Sequence, residues 1–503
     1  MGGAPRVQDH PESLFAKFGV PAAVLTGAGR QDSRRVRREG RSASMAAIYS
    51  DRALVIGAGF AGLVAARVLA ESYGDVVLAG RDTFTADAGL PQAHHPHALP
   101  ARAAEVLEAL FPRLATELED VGAVRADLGS DVLHRVPAGW APRDHLGLSV
   151  LSVTRPTLDR ILRRRVLRLA NVSLVDGVTI DGLLHDRGMV TGVHGQRGDR
   201  PFTDYADLVV DASGRDSTLV SWLAELGVHC PAPMIANGRF TCTSRLYEVN
   251  RDLKLDWKTA CEITHSPDIR RGGVVSSVDG YRWFVTLFGA DGHAAPADDD
   301  GFLDYAMSLH CQGIAEVVKT ATPVSDLHRT GNLRSRWNRF HQVPDWPRGL
   351  LALGDSVVSL NPVHGHGLTV AALNCTALHG LLREHDLANE PQVFQRAVAR
   401  TAKIPWTSVT TTDLGWSTRK LPLTTRLRQW YSGRVLAVIP GDRQVHRASV
   451  RISQLLDHPA TLLRPAVLVR VLLGAAGPRA GTSAQRTAPS GHSTVTGTPR
   501  DRA

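Results

Sequence analysis

Three short blocks hold the residue types that could do chemistry, and the first two point to binding a large cofactor. The first is Gly57-Ala58-Gly59-Phe60-Ala61-Gly62. In a G-x-G-x-x-G loop the first glycine allows a tight turn, the second lets backbone approach a pyrophosphate, and the third lets helix and strand pack closely. The helix that the loop opens would offer free amides and about half a positive charge to phosphate, with Phe60 and Ala61 in the loop beside it. The second block is Leu353-Gly354-Asp355-Ser356 followed by Asn361-Pro362-Val363-His364-Gly365-His366-Gly367-Leu368-Thr369. An aspartate at a strand end can bond a sugar-type hydroxyl. Gly365, Gly367 and Leu368 at a helix start can turn amides toward a ring edge where negative charge accumulates. The third, Asp207-Leu208-Val209-Val210-Asp211-Ala212-Ser213-Gly214-Arg215-Asp216-Ser217, reads equally as a cofactor contact or an ordinary strand-to-loop exit. No catalytic nucleophile stands out. His364 and His366 are candidates for moving protons, and no metal site is expected.

The flanking elements decide whether the glycine loop has meaning. Ala53–Ile56 is a short apolar strand, Gly62–Glu71 a helical pattern and Val76–Ala79 a second buried strand, so a βαβ unit opens the fold. The acid expected at the end of the second strand is replaced by Gly80, with Asp82 as the nearest substitute. Pro156–Leu169 reads as a basic amphipathic helix, with short strands to Val210 after it. Residues 239–290 change to strand character, and Asp279-Gly280 signals a two-residue hairpin turn. A strand at Gly349–Leu353, a helix at Leu368–Glu384 and a largely helical stretch over 390–475 complete the pattern. Two loops far apart in sequence, each suited to one part of a dinucleotide, predict FAD held extended between them.

Composition removes other classes. The chain has 503 residues, 43% apolar and 21% charged, which is enough for more than one domain. Apolar runs are too broken for an integral membrane span. Five cysteines without a C-x-x-C pair argue against a disulfide scaffold and fit a reducing cytoplasm. The net charge is +9, but residues 1–50 hold eight Lys/Arg against four Asp/Glu and residues 477–503 hold four against one. Most of the excess therefore sits in the tails, and no nucleic-acid partner is expected.

These blocks, in this order, resemble the FAD-dependent monooxygenases related to p-hydroxybenzoate hydroxylase. More narrowly, Gly89-Leu90-Pro91-Gln92-Ala93-His94-His95-Pro96-His97-Ala98-Leu99 and Asn361–Thr369 resemble the flavin epoxidases of polyether-antibiotic biosynthesis. The resemblance covers about residues 52–475. It implies an α/β fold: a glutathione-reductase-like FAD-binding Rossmann domain with a β-sheet substrate domain and C-terminal helices. On that pattern, 1–50 is a disordered extension and 51–229 the first part of the FAD-binding domain. The β-sheet domain follows at 230–345, the second FAD-binding part at 346–389, a helical region at 390–476 and a disordered tail at 477–503.

Carried over by motif, Gly57, Gly59, Gly62, Arg155, Asp355, Gly365 and Gly367 match the family's FAD contacts. Phe60, Ala61, Asp82, Gly354 and Leu368 are expected beside them. The implied chemistry is epoxidation of an alkene in an apolar polyene or polyketide through a C4a-hydroperoxyflavin, with O2 as co-substrate. Trp283 and Phe288 are expected to line the substrate cavity. Three positions depart from the family. His94 stands for an arginine, Gly80 for the ribose acid, and Ser213-Gly214 for an Asp-Gly pair. The last leaves two routes for electrons, directly from NAD(P)H or through a separate flavin reductase. A halogenase W-x-W-x-I-P segment is absent from the sequence. Tyr281-Arg282-Trp283 begins the Y-x-W-x-F-P pattern of geranylgeranyl-reductase-type alkene reductases, but Val285-Thr286 does not finish it. That saturase reading and a catalytically silent FAD-fold binding protein are the alternatives.

Overall fold

The computed structural model describes residues 51–83, 98–249, 255–331, 333–418 and 420–474. The expected disordered segments 1–50 and 477–503, and the stretch 89–97 with His94, lie outside the described residues.

The opening unit forms as its pattern predicts. The strands β1 (Arg52–Ile56) and β2 (Asp75–Ala79) flank helix α1 (Phe60–Leu69) and pair in parallel, Val55 opposite Leu78. Valine, leucine and isoleucine dominate these strands because both faces are covered, as parallel sheets require. Helix α2 (Arg155–Val166) leads into β3 (Val172–Val175), and Leu208–Asp211 forms β4. With Leu350–Ala352, the strand β9, they build a five-stranded parallel sheet in the order β9-β4-β1-β2-β3. The strand from residues 350–352 thus returns to the sheet begun some 300 residues earlier, which brings the second glycine block to the edge of the first. Leu54, Leu63, Leu78 and Val209 are fully buried in the resulting core.

The strand-like region 239–290 forms a separate sheet of mainly antiparallel strands. Its centre is β5 (Thr241–Glu248), β6 (Thr259–Glu262), β7 (Arg271–Val278) and β8 (Arg282–Gly289). The β7–β8 hairpin closes differently from expectation. Val278 pairs with Arg282, so three residues, Asp279–Tyr281, make the turn instead of Asp279-Gly280 alone. Asp279 is drawn inward by other bonds: its carboxylate accepts the Thr154 amide at 2.5 Å, the Thr154 hydroxyl at 3.1 Å and the Thr157 hydroxyl at 3.0 Å. The roof sheet is thereby clamped to the first turn of α2.

The C-terminal part is helical: α3 (Gly367–Glu384), α4 (Pro391–Asp413), α5 (Leu423–Val438), α6 (Arg443–Ser453) and α7 (Pro465–Gly474). No helix among the described residues is long and apolar enough to cross a membrane.

Candidate functional site

The three sequence blocks meet at one place. Gly57 has φ +102°, and a β-carbon there would lie 2.6 Å from the Ala212 carbonyl of the third block. Gly62 sits so close to the Gly57 carbonyl that a β-carbon would overlap it, at 1.8 Å. Gly59, by contrast, faces open space, with nothing within 4 Å of a β-carbon built there. Two glycines therefore serve packing, and Gly59 keeps free the approach that a pyrophosphate requires.

The second block closes on the first. Gly354 has φ +68°, and its missing β-carbon would lie 3.1 Å from the Ala61 methyl. Its amide donates to Asn374 Oδ1 at 2.9 Å. The Leu353 amide and the Ser356 hydroxyl both donate to the Asp211 carbonyl, at 3.0 and 3.1 Å. Asp211 itself is fully buried and turns its carboxylate on Ser213 and Ser217 (2.5 and 2.6 Å). Burial pushes its carboxyl above the usual carboxylate range, against the pull of those bonds.

Both helix starts at this junction lack a side-chain cap. Among the described residues, no side chain bonds the first amides of α1 behind Gly59, or those of α3 behind His366. Such open amides are suited to phosphate or to a developing negative charge. Gly365 and Gly367 add no side chain to the α3 start, and Leu368 is its second residue.

Arg155 and Asp355 supply the charges. Arg155 is the first residue of α2, buried, bonded through Nε to Asp159 at 2.8 Å and stacked 5.6 Å over the Phe60 ring. Asp355 is half-buried and has no hydrogen-bond partner among the described residues. Burial lifts its carboxyl, while Arg215, Arg155 and Arg336 pull it down. A half-buried carboxylate with free lone pairs beside cations is costly unless something else bonds it. These features together fit a dinucleotide whose sugar hydroxyls reach Asp355. Asp82 is half-exposed three residues past the end of β2, 4.0 Å from Arg81.

The two histidines separate in character. His364 donates from Nε2 to Asp413 Oδ1 at 2.9 Å, and that aspartate, fully buried at the end of α4, also accepts from Asn361 Nδ2 at 3.1 Å. In the neutral ring that bond leaves Nδ1 of His364 as the acceptor. Its ring stands edge-on to Phe240 at 6.4 Å. His366 is buried, its Nδ1 has no partner, and burial with the nearby His364 pulls its pKa down to about 4. It is neutral at pH 7 and packed at the N-cap of α3.

Of the two aromatic candidates, only Phe288 lies on this side. Phe288 packs with Phe240, Cys242 and Trp416, adjoining Val363 of the second block. Trp283 is five residues away on the same strand, so the alternation of side chains puts it on the opposite face. There it meets Trp257 edge-on at 5.0 Å and packs with Phe302 and Tyr305. The expectation that both line one cavity is corrected accordingly. Sequence reasoning missed Asp413, Asn374 and the clamping role of Asp279. Asp413 and Asn374 have no local motif, Asp279 is legible only as a turn residue, and each acts on a residue at least 20 positions away.

No protein-family model matches the chain. Among solved structures it is similar to the flavin-dependent brominase Bmp2, 14% identical, with 84% of this chain and 98% of that one covered and a TM-score of 0.61. It is also similar to the p-nitrophenol 4-monooxygenase PnpA of Pseudomonas putida, 14% identical over 81% and 99% of the two chains, TM-score 0.57. A third is the Diels-Alderase PyrE3 of pyrroindomycin biosynthesis, 17% identical over 81% of each, TM-score 0.56. At these identities the likeness is one of fold, and it establishes the α/β architecture shared by flavin-dependent monooxygenases and halogenases, with its β-sheet roof and C-terminal helices. Protein Rv3254 of Mycobacterium tuberculosis is 30% identical over 376 residues, 71% of this chain and 78% of that protein. The chain belongs to the same protein family as Rv3254.

Proposed function

We propose that this protein is an FAD-dependent monooxygenase acting on an alkene of an apolar polyene or polyketide, most specifically as an epoxidase. The observation that carries the reading is the contact of Gly354 with Ala61, which joins two uncapped helix starts around an unpartnered Asp355. Gly57, Gly59, Phe60, Ala61 and Gly62 would hold the diphosphate, with Asp82 near the ribose. Arg155, Gly354 and Asp355 would hold the middle of the cofactor, and Gly365, Gly367 and Leu368 the ring edge. Bound there, FAD supplies the redox and oxygen chemistry, with O2 as co-substrate and NAD(P)H as electron source, directly or through a flavin reductase.

The chain's own residues then have three tasks. The α3 amides stabilise negative charge at its N-terminus. Phe240, Phe288 and Trp416 form an apolar wall that keeps water from the reacting centre. Asp413 orients His364 so that its Nδ1 can accept a proton at the rim of that wall.

The test is to purify the protein, record its visible spectrum with added FAD, and follow NADH and NADPH oxidation with and without a flavin reductase. A flavin spectrum and a product heavier by one oxygen atom support the reading. A product heavier by two hydrogens makes it a saturase. A protein that cannot be loaded with FAD removes the enzyme reading.

A further inference from the structure

Away from the glycine loops, a groove of about 740 Å³ runs along α4 between the edge strand Met234–Ala236 and α5. Its apolar surface comes from Met234 and Ile235, both exposed, and from Trp337 and Trp406, whose rings meet at 5.5 Å. Its charged rim comes from Arg396, Arg400 and Lys403 of α4 and Arg428 of α5. No aspartate or glutamate lines it.

The four cations are the unusual feature. All are exposed, and none has an ion pair or hydrogen bond among the described residues, in a chain where many arginines are paired. Spacings of four and three put Arg396, Arg400 and Lys403 in one stripe on α4. Like charges at those spacings repel one another. A stripe without acids, in one groove with two indoles, is complementary to negative charge carried on an apolar body. Trp337 and Trp406 are both more than nine-tenths buried, packed into the groove wall. The volume suits a molecule of small-ligand size.

We propose that this groove binds an amphipathic anion, an apolar chain or ring system that ends in a carboxylate or phosphate. The apolar part lies on Trp337 and Trp406, and the head is held by Arg396, Arg400, Lys403 and Arg428. The site is separate from the glycine-loop junction and does not depend on the flavin reading.

Isothermal titration with dodecyl phosphate and dodecanoate, below their micelle concentrations, tests it on the flavin-free and FAD-supplemented full-length protein. Dodecanol, dodecyltrimethylammonium and inorganic phosphate serve as controls. Both amphipathic anions are expected to bind one per chain, at least tenfold tighter than dodecanol or inorganic phosphate, and more weakly as salt rises. The Arg400→Gln/Lys403→Gln double variant is expected to lose at least tenfold for the anions and nothing for dodecanol. Equal binding of dodecanol, or an unchanged double variant, overturns the proposal. Binding to phosphatidylglycerol vesicles without binding of the monomeric anions also overturns it, by making the patch a membrane-contact surface.

Discussion

His364 Nε2 lies 2.9 Å from the Oδ1 of Asp413, a carboxylate with no solvent exposure at the last residue of a 23-residue helix. Through that one side chain, the C-terminal helices determine which nitrogen of His364 faces the apolar wall. Asp413 also holds Asn361, whose backbone amide is fixed by Ser335 at 2.9 Å, so the turn before α3 is braced from two sides.

Replacing Asp413 therefore has two effects. Asp413→Ala leaves His364 and Asn361 without their shared acceptor and should lower unfolding free energy by about 2 kcal/mol, read by urea denaturation. His364→Gln should leave stability nearly unchanged while slowing turnover by about two to four orders of magnitude, the usual size of a general-base contribution. Equal turnover in His364→Gln and the wild type would remove the proton-acceptor role.

Gly59 and Gly62 make a discriminating pair. Gly62→Ala places a methyl onto the Gly57 carbonyl and should cost at least about 3 kcal/mol, or prevent folding. Gly59→Ala meets no protein atom, so the fold and its melting temperature should hold. Its added methyl should instead weaken FAD binding at least tenfold, measured by flavin fluorescence. Undiminished FAD affinity in Gly59→Ala would place the diphosphate elsewhere.

Asp355 trades stability for binding. Its carboxylate is lifted by burial and has no hydrogen-bond partner among the described residues, so Asp355→Asn should leave the flavin-free protein as stable as the wild type or slightly more so. Loss of a charge-assisted bond to a cofactor hydroxyl should weaken FAD binding tens-fold, equivalent to about 1.5–3 kcal/mol. Calorimetric titration of FAD into both proteins checks this.

Acid stability should depend on His366. The unfolded chain takes up a proton on this ring near pH 6.5, and the folded chain only near pH 4. Between those values protons favour the unfolded state, so stability falls as pH drops, by up to roughly 3 kcal/mol. Asp355 and Asp211, both lifted by burial, work in the opposite sense and are relieved by protonation. Urea midpoints at pH 7 and pH 4.5 should differ less in His366→Leu than in the wild type. An identical acid limb in the two proteins would contradict this placement.

Local pattern was enough for the βαβ opening, because G-x-G-x-x-G between an apolar strand and an apolar helix restricts the backbone within ten residues. The same holds for the helix after Gly367, where glycines end and a sustained apolar period begins. What the sequence could not decide was everything that depends on which face or which partner a residue meets. Trp283 and Phe288 look alike as aromatic strand residues, and the register of the β7–β8 hairpin alone sends them to opposite sides. Asp279 reads as a turn residue, yet its energy lies in bonds to Thr154 and Thr157, more than 120 residues earlier. Asp413 has no motif at all; it matters because α4 ends beside a loop that starts at Asn361. Short-range sterics and periodicity are written into neighbouring residues, whereas hydrogen-bond partners and burial are set only when distant segments pack together.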